Sequence, residues 1–504
     1  MLSAQDNLSP ELQFDLDKFA LELHPFELSM RAPAAVARTG KTDSLNREGM
    51  VVALSGARAS GDQRIAVVGY GEASPLPGLH AESVDQIQSQ LKAIAQAMQT
   101  HQRPLPARAA ALDGSLGVFH RRARAQFVTA LSPSPLALQT PGAWIDALCI
   151  DAALVPEQVS PCARAALEMA ALDAIAKASS VTIGALLVAH GAASVQRSHV
   201  LLNTLVPREV TELAQQDETA PTDGPGRPVN TVGNGGGSMW KVKVGGSTSP
   251  RCARKFPSPT CIVTLTLRGD SCRFGRADAR RVATIACAAE RVGARLRLDA
   301  NQAWSEAEAA EFADEISRTP WTGASSLAAR IEYVEEPLCS EAATARALGT
   351  FAERAQIPYA LDETLFDDGH SADLFGADGA GRGAAALVLK PTRIGFERSA
   401  QLAAEAARLG IPCVVSAAFE SGLALCHLAI FASVLPSGGT GPAFRAESIH
   451  HGLGTFEWLE SDILDPAFGA LVDHDAAATP IVDVLRCDAA LASFRGVSGE
   501  GSSP

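Results

Sequence analysis

The chain has 504 residues, of which 47% are apolar and 20% charged, and its 43 Lys and Arg against 56 Asp and Glu leave a net charge of −13. This composition is typical of a globular protein with a full-sized core, and the length allows two or three domains, since one α/β barrel can take about 250 residues. The negative balance argues against nucleic acid or an anionic membrane as the main partner, because both favour clustered Lys and Arg.

The cellular setting is predicted from what the sequence lacks. It contains no uninterrupted run of about 18 apolar residues, and its acidic N-terminal segment fits neither a signal peptide nor an Arg-rich transit peptide. We therefore expect a soluble intracellular protein, cytoplasmic, or in the plastid stroma if a presequence is missing. The ten Cys form no CxxC pair and are expected to be reduced thiols, and the spacing of Cys252, Cys261 and Cys272 does not match a structural zinc site.

The N-terminal third predicts a mixed α+β domain over residues 1–190. Residues 51–73 contain two strand-like runs joined by a Gly/Ser/Asp turn, and Ala-Ser-Pro-Leu-Pro-Gly at 73–78 ends them. In residues 82–99 the apolar side chains recur three or four positions apart, which predicts an amphipathic helix. A second helix is predicted over 162–177.

From about residue 199 short β-rich runs alternate with Ala-rich helical stretches. These runs are HVLLNTLV, MWKVKV, RLRLDA, IEYVEE, PYALDE, ALVLKP and PCVVSA. The alternation predicts parallel βαβ units, in an open doubly wound sheet or in a barrel. Polar residues end nearly every run, which favours a barrel because barrel active sites collect residues from many strand ends. We assign the barrel to 191–440 and the last strand with a returning segment to 441–504.

Two stretches interrupt this repeat and are predicted to be insertions. The first, at 207–238, is polar and rich in Gly and Pro; its run from Gly233 to Gly237 matches no phosphate-binding motif and is interpreted as a linker. The second, at 245–273, delays the helix after the second barrel strand.

Two lysines open the candidate site. Lys241 and Lys243 lie on one face of a predicted strand, because side chains alternate along a strand with a period of two. Neighbouring like charges favour a neutral lysine, which could act as a general base. A solvated edge strand carrying two lysines is the alternative.

Carboxylates end the next three predicted strands, at Asp299, Glu335 and Asp362. Carboxylates that converge at a barrel mouth repel one another unless a cation is present, and oxygen ligands without His or Cys select Mg²⁺. Each of them could instead cap the following helix. Lys390 ends the following strand, across the mouth from Lys243. This arrangement predicts proton abstraction beside a carboxylate, with the metal stabilising the enediolate.

The ordered segments KVKVG, LRLDAN, EEPL, LDET, LVLKP and SAAFESGLAL resemble the muconate-lactonizing branch of the enolase superfamily, and within it the o-succinylbenzoate synthases. GYGEASPLPG at 69–78 looks like that family's capping-domain loop, and HGLGTFEWL at 451–459 looks like its segment after the seventh strand. The resemblance implies an α/β fold, a (β/α)7β modified TIM barrel with an α+β capping domain.

The resemblance also implies a Mg²⁺-dependent hydro-lyase, for which Mn²⁺ could substitute. The reaction would be syn-dehydration of 2-succinyl-6-hydroxy-2,4-cyclohexadiene-1-carboxylate to 2-succinylbenzoate in menaquinone or phylloquinone biosynthesis. By motif, Lys243 would be the acid/base and Lys390 a stabilising cation, and Asp299, Glu335 and Asp362 would bind Mg²⁺. The remaining positions would orient these groups or contact substrate: Lys241, Arg297, Asn301, Glu336, Glu363, Ser416, Glu420, Ser421, Ser74, Pro75, Leu76, Pro77 and Gly78.

Several alternatives stay open at this point. Arg297 could hold a substrate carboxylate or serve as an internal counter-charge to the acidic cluster. The lysine pair also fits an N-acylamino acid racemase or a dipeptide epimerase of the same subgroup. A non-catalytic assembly module is disfavoured by the intact lysines and carboxylates. The expected partner is a small carboxylate, and a homo-oligomer or a place in a larger multienzyme chain is not decided.

Overall fold

The computed structural model describes most of the predicted elements. The described residues are 15–31, 46–60, 63–100, 145–146, 149, 152–189, 196–205, 240–244, 262–267, 274–290, 295–321, 326–366, 374–376, 379–436, 449–474 and 479–497.

An antiparallel sheet with two long helices forms the N-terminal part. Strands β1 (Asp15–Ser29), β2 (Asn46–Ser60) and β3 (Gln63–Ala73) pair in the order β1-β2-β3. Helix α1 spans Val84–Thr100 and helix α2 spans Pro161–Ser179. Both strand-like runs and both helices predicted here are therefore present, although β1 was not predicted.

Helix α2 packs directly on β3 because β3 lacks side chains at the contact. A Cβ atom at Gly71 would lie 2.0 Å from the carbonyl oxygen of Ala166, and one at Gly69 would lie 2.1 Å from that of Ala170. The helix is Ala-rich and buried over most of its length. The close contact between glycine and alanine backbones thus fixes α2 against the sheet.

A parallel sheet forms the second part. Its strands, with the short strand that precedes them, are β4 (His199–Leu202), β5 (Thr204–Leu205), β6 (Trp240–Val244), β7 (Ile262–Leu267), β8 (Arg295–Asp299), β9 (Ile331–Glu335), β10 (Tyr359–Leu361), β11 (Ala386–Leu389), β12 (Cys413–Val415) and β13 (His450–His451). The pairing order is β12-β11-β10-β9-β8-β7-β5, and β6 also pairs with β7.

The sheet closes on itself. A bridge joins Ser416, just after β12, to Gly452, just after β13. Strand β13 pairs in parallel with β4, which runs on through Asn203 into β5. The predicted (β/α)7β barrel is therefore confirmed over a doubly wound open sheet.

Helices cover the outside of the barrel. They are α3 (Ile183–Ala189), α4 (Phe274–Glu290), α5 (Glu306–Arg318), α6 (Ala345–Ala355), α7 (Pro391–Ile394), α8 (Phe396–Arg408), α9 (Gly422–Val434) and α10 (Val484–Ser493). Short 3₁₀ helices lie at Pro156–Gln158, Ala328–Arg330, Glu363–Phe366, Ala380–Gly383, Gly454–Trp458 and Phe468–Leu471. Strands β14 (Val472–His474) and β15 (Pro480–Asp483) form a hairpin whose second strand pairs with β4. In the part of the chain that the structure describes, no helix is long and apolar enough to cross a membrane.

The prediction of an insertion over 245–273 is wrong for part of that stretch. Residues Ile262–Leu267 form β7, which pairs with β5, β6 and β8. The sequence IVTLTL consists of β-branched and leucine residues, a composition typical of a strand. The other predicted insertion, 207–238, lies outside the described residues. The three domain boundaries stay predictions.

Candidate active site

The barrel interior ends in a row of polar side chains. Residues such as Tyr333, Ala360, Val388 and Val414 form a buried cluster separate from the core that the helices cover. Side chains two positions apart on a strand share a face. Five candidate residues each follow an interior residue by two positions and so lie on the same face, at the carboxyl end of the strands: Asp299, Glu335, Asp362, Lys390 and Ser416.

The three candidate metal ligands are brought to the same mouth. Asp299 and Glu335 are register partners on adjacent strands, and Asp362 directly follows the next strand, β10. All three are buried, with exposed fractions of 3%, 4% and 1%. Glu363 is beside them, and the pKa of its carboxyl is raised well above the usual range by burial and by the charges of Asp362 and Asp299. The mouth is therefore strongly acidic.

Lys390 is the cation that the structure places among these carboxylates. Its ammonium group is buried and forms an ion pair with Oδ2 of Asp362. The same group lies 5.5 Å from the ring centroid of Phe366, within cation–π range. A lysine at the end of a wholly buried strand is thus held by a charge and by an aromatic face.

Glu336 organises the loop that carries Asp362. Its Oε1 accepts the backbone N–H groups of Asp362 (2.7 Å) and Thr364 (2.8 Å). Its Oε2 accepts from the Thr364 hydroxyl (2.8 Å) and from the Gln302 amide (3.1 Å). Burial raises the pKa of Glu336, and these four hydrogen bonds oppose that effect. Glu336 is buried and therefore fixes the backbone of Asp362, one of the candidate ligands.

Asn301 is tied to another candidate ligand. Its backbone N–H donates to Oδ1 of Asp299 at 3.0 Å, and its side-chain amide donates to the Asp299 carbonyl at 3.3 Å. Asn301 has a φ of 47°, Glu336 one of 42° and Phe419 one of 64°. Left-handed backbone at non-glycine residues is costly and concentrates at functional sites. These three residues all follow barrel strands at the same end.

The donor chemistry of the mouth fits Mg²⁺. Oδ1 of Asp362 and Oε2 of Glu363 are buried and have no hydrogen-bond partner among the described residues. Buried carboxylate oxygens in excess of their hydrogen-bond donors are what a hard divalent cation requires. Within the described ranges, however, no three His, Cys, Asp or Glu side chains already stand in an arrangement that could hold a metal ion. The oxygens are present, and the ammonium of Lys390 lies against one of them.

The first candidate strand is described only by its backbone. Lys243 on β6 pairs with Thr266 on β7, which in turn pairs with Asp299, and Lys241 pairs with Thr264 one step earlier. Lys243 therefore has a register position level with Asp299, with one strand between them. The sequence patterns predicted these as consecutive strands, with no strand between them.

Arg297 is placed inside the barrel, below Asp299. Its Nε donates to Glu332 at 2.8 Å, and its Nη1 donates to the carbonyl oxygen of His450 at 2.7 Å. The guanidinium lies 4.9 Å from the ring centroid of Tyr333, and its exposed fraction is 1%. This geometry favours the counter-charge interpretation over the binding of a substrate carboxylate.

Two of the three predicted substrate-contacting serines, Ser74 and Ser421, bond to the protein itself. Both the N–H and the hydroxyl of Ser421 donate to Glu72, and the hydroxyl of Ser74 donates to Glu72 at 2.6 Å. Glu420 accepts hydrogen bonds from the Thr392 hydroxyl and the Ala418 N–H. Of the predicted loop residues, Leu76 is buried, Pro77 is exposed and Gly78 has a left-handed φ of 87°.

Sequence reasoning missed Arg47, Glu72 and His80, all buried beside the loop 74–78. Glu72 lies within the GYGEASPLPG segment that was recognised, so its charge at the end of a buried strand was a usable signal. Nothing in the sequence neighbours of Arg47 distinguished it.

Comparisons with known proteins agree with this geometry. Residues 229–460 match the family model described as enolase C-terminal domain-like. Two o-succinylbenzoate synthases are similar in sequence. That of Aliivibrio fischeri strain MJ11 is 37% identical over 139 residues, covering 27% of this chain and 38% of that protein. That of Yersinia pseudotuberculosis serotype O:1b is 33% identical over 172 residues, covering 34% and 45%.

A plant relative and two solved structures extend the comparison. Protein PHYLLO, chloroplastic, of Arabidopsis thaliana is 33% identical over 180 residues, covering 34% of this chain and 10% of that protein. The dipeptide epimerase of Cytophaga hutchinsonii has a TM-score of 0.56 at 15% identity and covers 96% of this chain and 97% of its own. The L-Ala-D/L-Glu epimerase of Bacillus subtilis has a TM-score of 0.54 at 17% identity, with coverages of 92% and 95%. At these identities the structures show the fold.

The chain has the enolase-superfamily fold, a modified barrel with a capping part. The resemblance to the o-succinylbenzoate synthases is confirmed by the similarity to the curated relatives. The chain spans less than half the length of each of these three relatives.

Proposed function

We propose that this protein is an o-succinylbenzoate synthase, a hydro-lyase that dehydrates 2-succinyl-6-hydroxy-2,4-cyclohexadiene-1-carboxylate to 2-succinylbenzoate. The observation that carries the proposal is the buried row of Asp299, Glu335, Asp362 and Lys390 at the carboxyl ends of four consecutive parallel strands. The names of the curated relatives support the same reaction.

The two lysines would have different roles. Lys243 takes the proton from the carbon beside the substrate carboxylate, and the C–H electron pair moves onto that carboxylate to give an enediolate. The electron pair then returns to form the new ring double bond as the C–O bond of the hydroxyl breaks. The same ammonium then returns its proton to the departing hydroxide, so that one water leaves and an aromatic ring remains. Lys390, held among acidic groups, is suited to stabilise the negative charge that develops on the substrate's carboxylate oxygens.

Asp299, Glu335 and Asp362 are the residues that would hold Mg²⁺, with Glu363 beside them. A bound Mg²⁺ supplies positive charge for a carboxylate substrate. Glu336 and Asn301 would keep Asp362 and Asp299 in place through the hydrogen bonds described above.

The setting of the activity is also a proposal. A plastid location is supported by the Arabidopsis relative, which is named chloroplastic, and a place in a larger chain by the match covering 10% of that relative. A role in menaquinone or phylloquinone biosynthesis depends on the proposed reaction.

The test follows the absorbance of the cyclohexadiene substrate after the protein is added with Mg²⁺. We expect turnover that EDTA stops and that Lys243→Ala and Lys390→Ala each abolish. Lys92→Ala, at an exposed position on α1, is the matched control and should keep full activity.

The competing reaction, racemisation or epimerisation, would use the same residues and is measured on the same protein samples. If the substrate is not consumed but N-acylamino acids or dipeptides in deuterium oxide gain deuterium at the α-carbon, the protein is a racemase or an epimerase. If both assays are silent with folded, Mg²⁺-loaded protein, the catalytic proposal is wrong.

A further inference from the structure

A buried polar network joins the capping part to the barrel beside the mouth. It contains two residues of the antiparallel sheet, Arg47 on β2 and Glu72 on β3, and the barrel segment 417–421. Arg47 is 2% exposed and Glu72 is 1% exposed. Burying such charges costs free energy unless hydrogen bonds compensate, so both side chains must keep well-aligned hydrogen-bond partners.

Arg47 contacts both the capping part and the barrel. Its Nη1 donates to the Pro75 carbonyl oxygen at 2.8 Å and its Nη2 to the Ser74 carbonyl oxygen at 2.5 Å. Its Nε donates to the carbonyl oxygen of Phe419 at 3.1 Å. The planar guanidinium therefore holds the carbonyl oxygens of Ser74 and Pro75 and that of Phe419 in the barrel through N–H donors that lie in one plane.

Glu72 makes the reciprocal connection. Besides the Ser74 hydroxyl, it accepts the N–H of Ser421 (3.0 Å), the Ser421 hydroxyl and the N–H of Ala424 (3.3 Å). The last three donors lie at the start of α9, where a carboxylate is favoured by the exposed N–H groups and the helix dipole. Burial raises the pKa of Glu72, and the hydrogen bonds from Ser421 and Ser74 oppose this.

The network continues to the candidate catalytic lysine. Phe419, whose carbonyl binds Arg47, precedes Glu420, and Glu420 accepts the hydroxyl of Thr392. Thr392 lies in the first turn of α7, two residues after Lys390. One side of the network thus holds the carbonyls of Ser74 and Pro75, and the other side reaches Thr392, two residues after Lys390.

We propose that Arg47 and Glu72 are positioning residues that fix the loop Ser74–Gly78 in its closed place over the barrel mouth. They act through the loop and the segment 417–421 and do not touch substrate. Ser74 and Ser421 then serve this closure, since their hydroxyls are already donated to Glu72. The inference rests on the proposed function for its kinetic test, because it states how that reaction's substrate is enclosed.

The kinetic test compares Arg47→Met and Glu72→Gln with the wild-type protein. A loosened loop weakens substrate binding, so we expect KM to rise by about tenfold or more in each variant, with a smaller change in kcat. A merely structural role would reduce the fraction of folded enzyme, which lowers the apparent kcat and leaves KM unchanged. Arg164→Met is the matched control, since Arg164 is a largely buried arginine that pairs with Asp146 away from the loop, and it should keep the wild-type KM.

A second measurement does not depend on the reaction. The amides of Leu76, Leu79 and His80 are hydrogen-bonded within the loop, and their exchange is measured in the Mg²⁺-loaded protein. Their hydrogen exchange should become at least about tenfold faster in Arg47→Met, while the amides of α1 are unchanged.

The two measurements separate the two proposals. If the wild-type protein does not consume the cyclohexadiene substrate, the proposed function fails, and the exchange data alone test the positioning role. Unchanged exchange in both variants overturns the positioning role, as does an unchanged KM in an active enzyme. Faster loop exchange with a raised KM supports it.

Discussion

The side-chain Oε1 of Glu336 accepts the backbone N–H of Asp362 at 2.7 Å, so the residue after one strand holds the residue after the next. The backbone of Glu336 is left-handed, with a φ of 42°, just after β9 ends. Replacing Glu336 with Gln leaves an amide nitrogen where a carboxylate oxygen accepted two hydrogen bonds. Loss of such a supporting contact typically weakens metal affinity by about 10-fold to 100-fold.

We therefore expect Glu336→Gln to lower Mg²⁺ affinity by about that factor, measured by titration calorimetry or by the Mg²⁺ dependence of turnover. Glu353→Gln, on an exposed face of α6, is the control and should bind Mg²⁺ like the wild-type protein. Equal Mg²⁺ affinity in Glu336→Gln and the wild-type protein would show that Glu336 does not support the metal site.

Mg²⁺ should stabilise the folded protein. Buried carboxylates at the mouth repel one another, and a cation that binds only the folded state raises its stability by about 2.7 kcal/mol at a concentration of about 100 times the dissociation constant. Thermal unfolding with Mg²⁺ and with EDTA measures the effect. Asp362→Asn should lose most of it, whereas Asp314→Asn, at the surface ion pair with Arg354, should retain it. A wild-type midpoint that does not respond to Mg²⁺ contradicts the assigned site.

The sequence predicted parallel βαβ units and the row of strand-end residues because both depend on short-range patterns. The strand-end residues favoured a barrel over an open sheet, and the family resemblance implied it. Side-chain alternation along each strand and polar residues at the strand ends were enough to bring Asp299, Glu335, Asp362 and Lys390 to one mouth. Glu336 was predicted to orient a ligand, and the structure shows the hydrogen bonds through which it holds Asp362.

The remainder depends on contacts between distant segments. Arg47 meets Phe419 across 372 positions of sequence, and Glu72 meets Ser421 across 349, so neither partner could be inferred from its neighbours. For the same reason Ser74 and Ser421 were predicted to contact substrate, although their hydroxyl groups donate hydrogen bonds to Glu72. Arg297 was left with two interpretations because its partner, Glu332, comes from another strand.

Glu168 makes the stability depend on pH. This residue of α2 is fully buried, and burial raises the pKa of its carboxyl to about 7 from the ordinary 4.5, although the charge of Arg164 opposes the rise. Between these two pH values the unfolded chain releases the proton first, so the folded state binds more protons and the stability falls as pH rises. The shift corresponds to about 3 kcal/mol, lost between pH 4.5 and 7.

Glu168→Gln removes this titration and keeps an acceptor for the Phe396 N–H. Relative to the wild-type protein, we expect it to be more stable at pH 8 than at pH 5 by up to about 3 kcal/mol, measured by urea unfolding at both values. Glu353→Gln should show no such difference, since Glu353 is exposed. A constant difference between Glu168→Gln and the wild-type protein at both pH values would mean that Glu168 titrates normally.

Gly71 tests whether β3 and α2 are in direct backbone contact. A methyl group at this position would lie 2.0 Å from the carbonyl oxygen of Ala166, so helix and strand must separate to accept it. We expect Gly71→Ala to lower the free energy of unfolding by about 2 kcal/mol or more, because backbone atoms cannot repack as side chains do. Gly349 in α6 is the matched position, since a Cβ there meets nothing within 4 Å. Gly349→Ala should raise the stability by about 1 kcal/mol through helix propensity. If thermal or urea unfolding shows the two substitutions to be equally tolerated, α2 does not pack on β3 as closely as described.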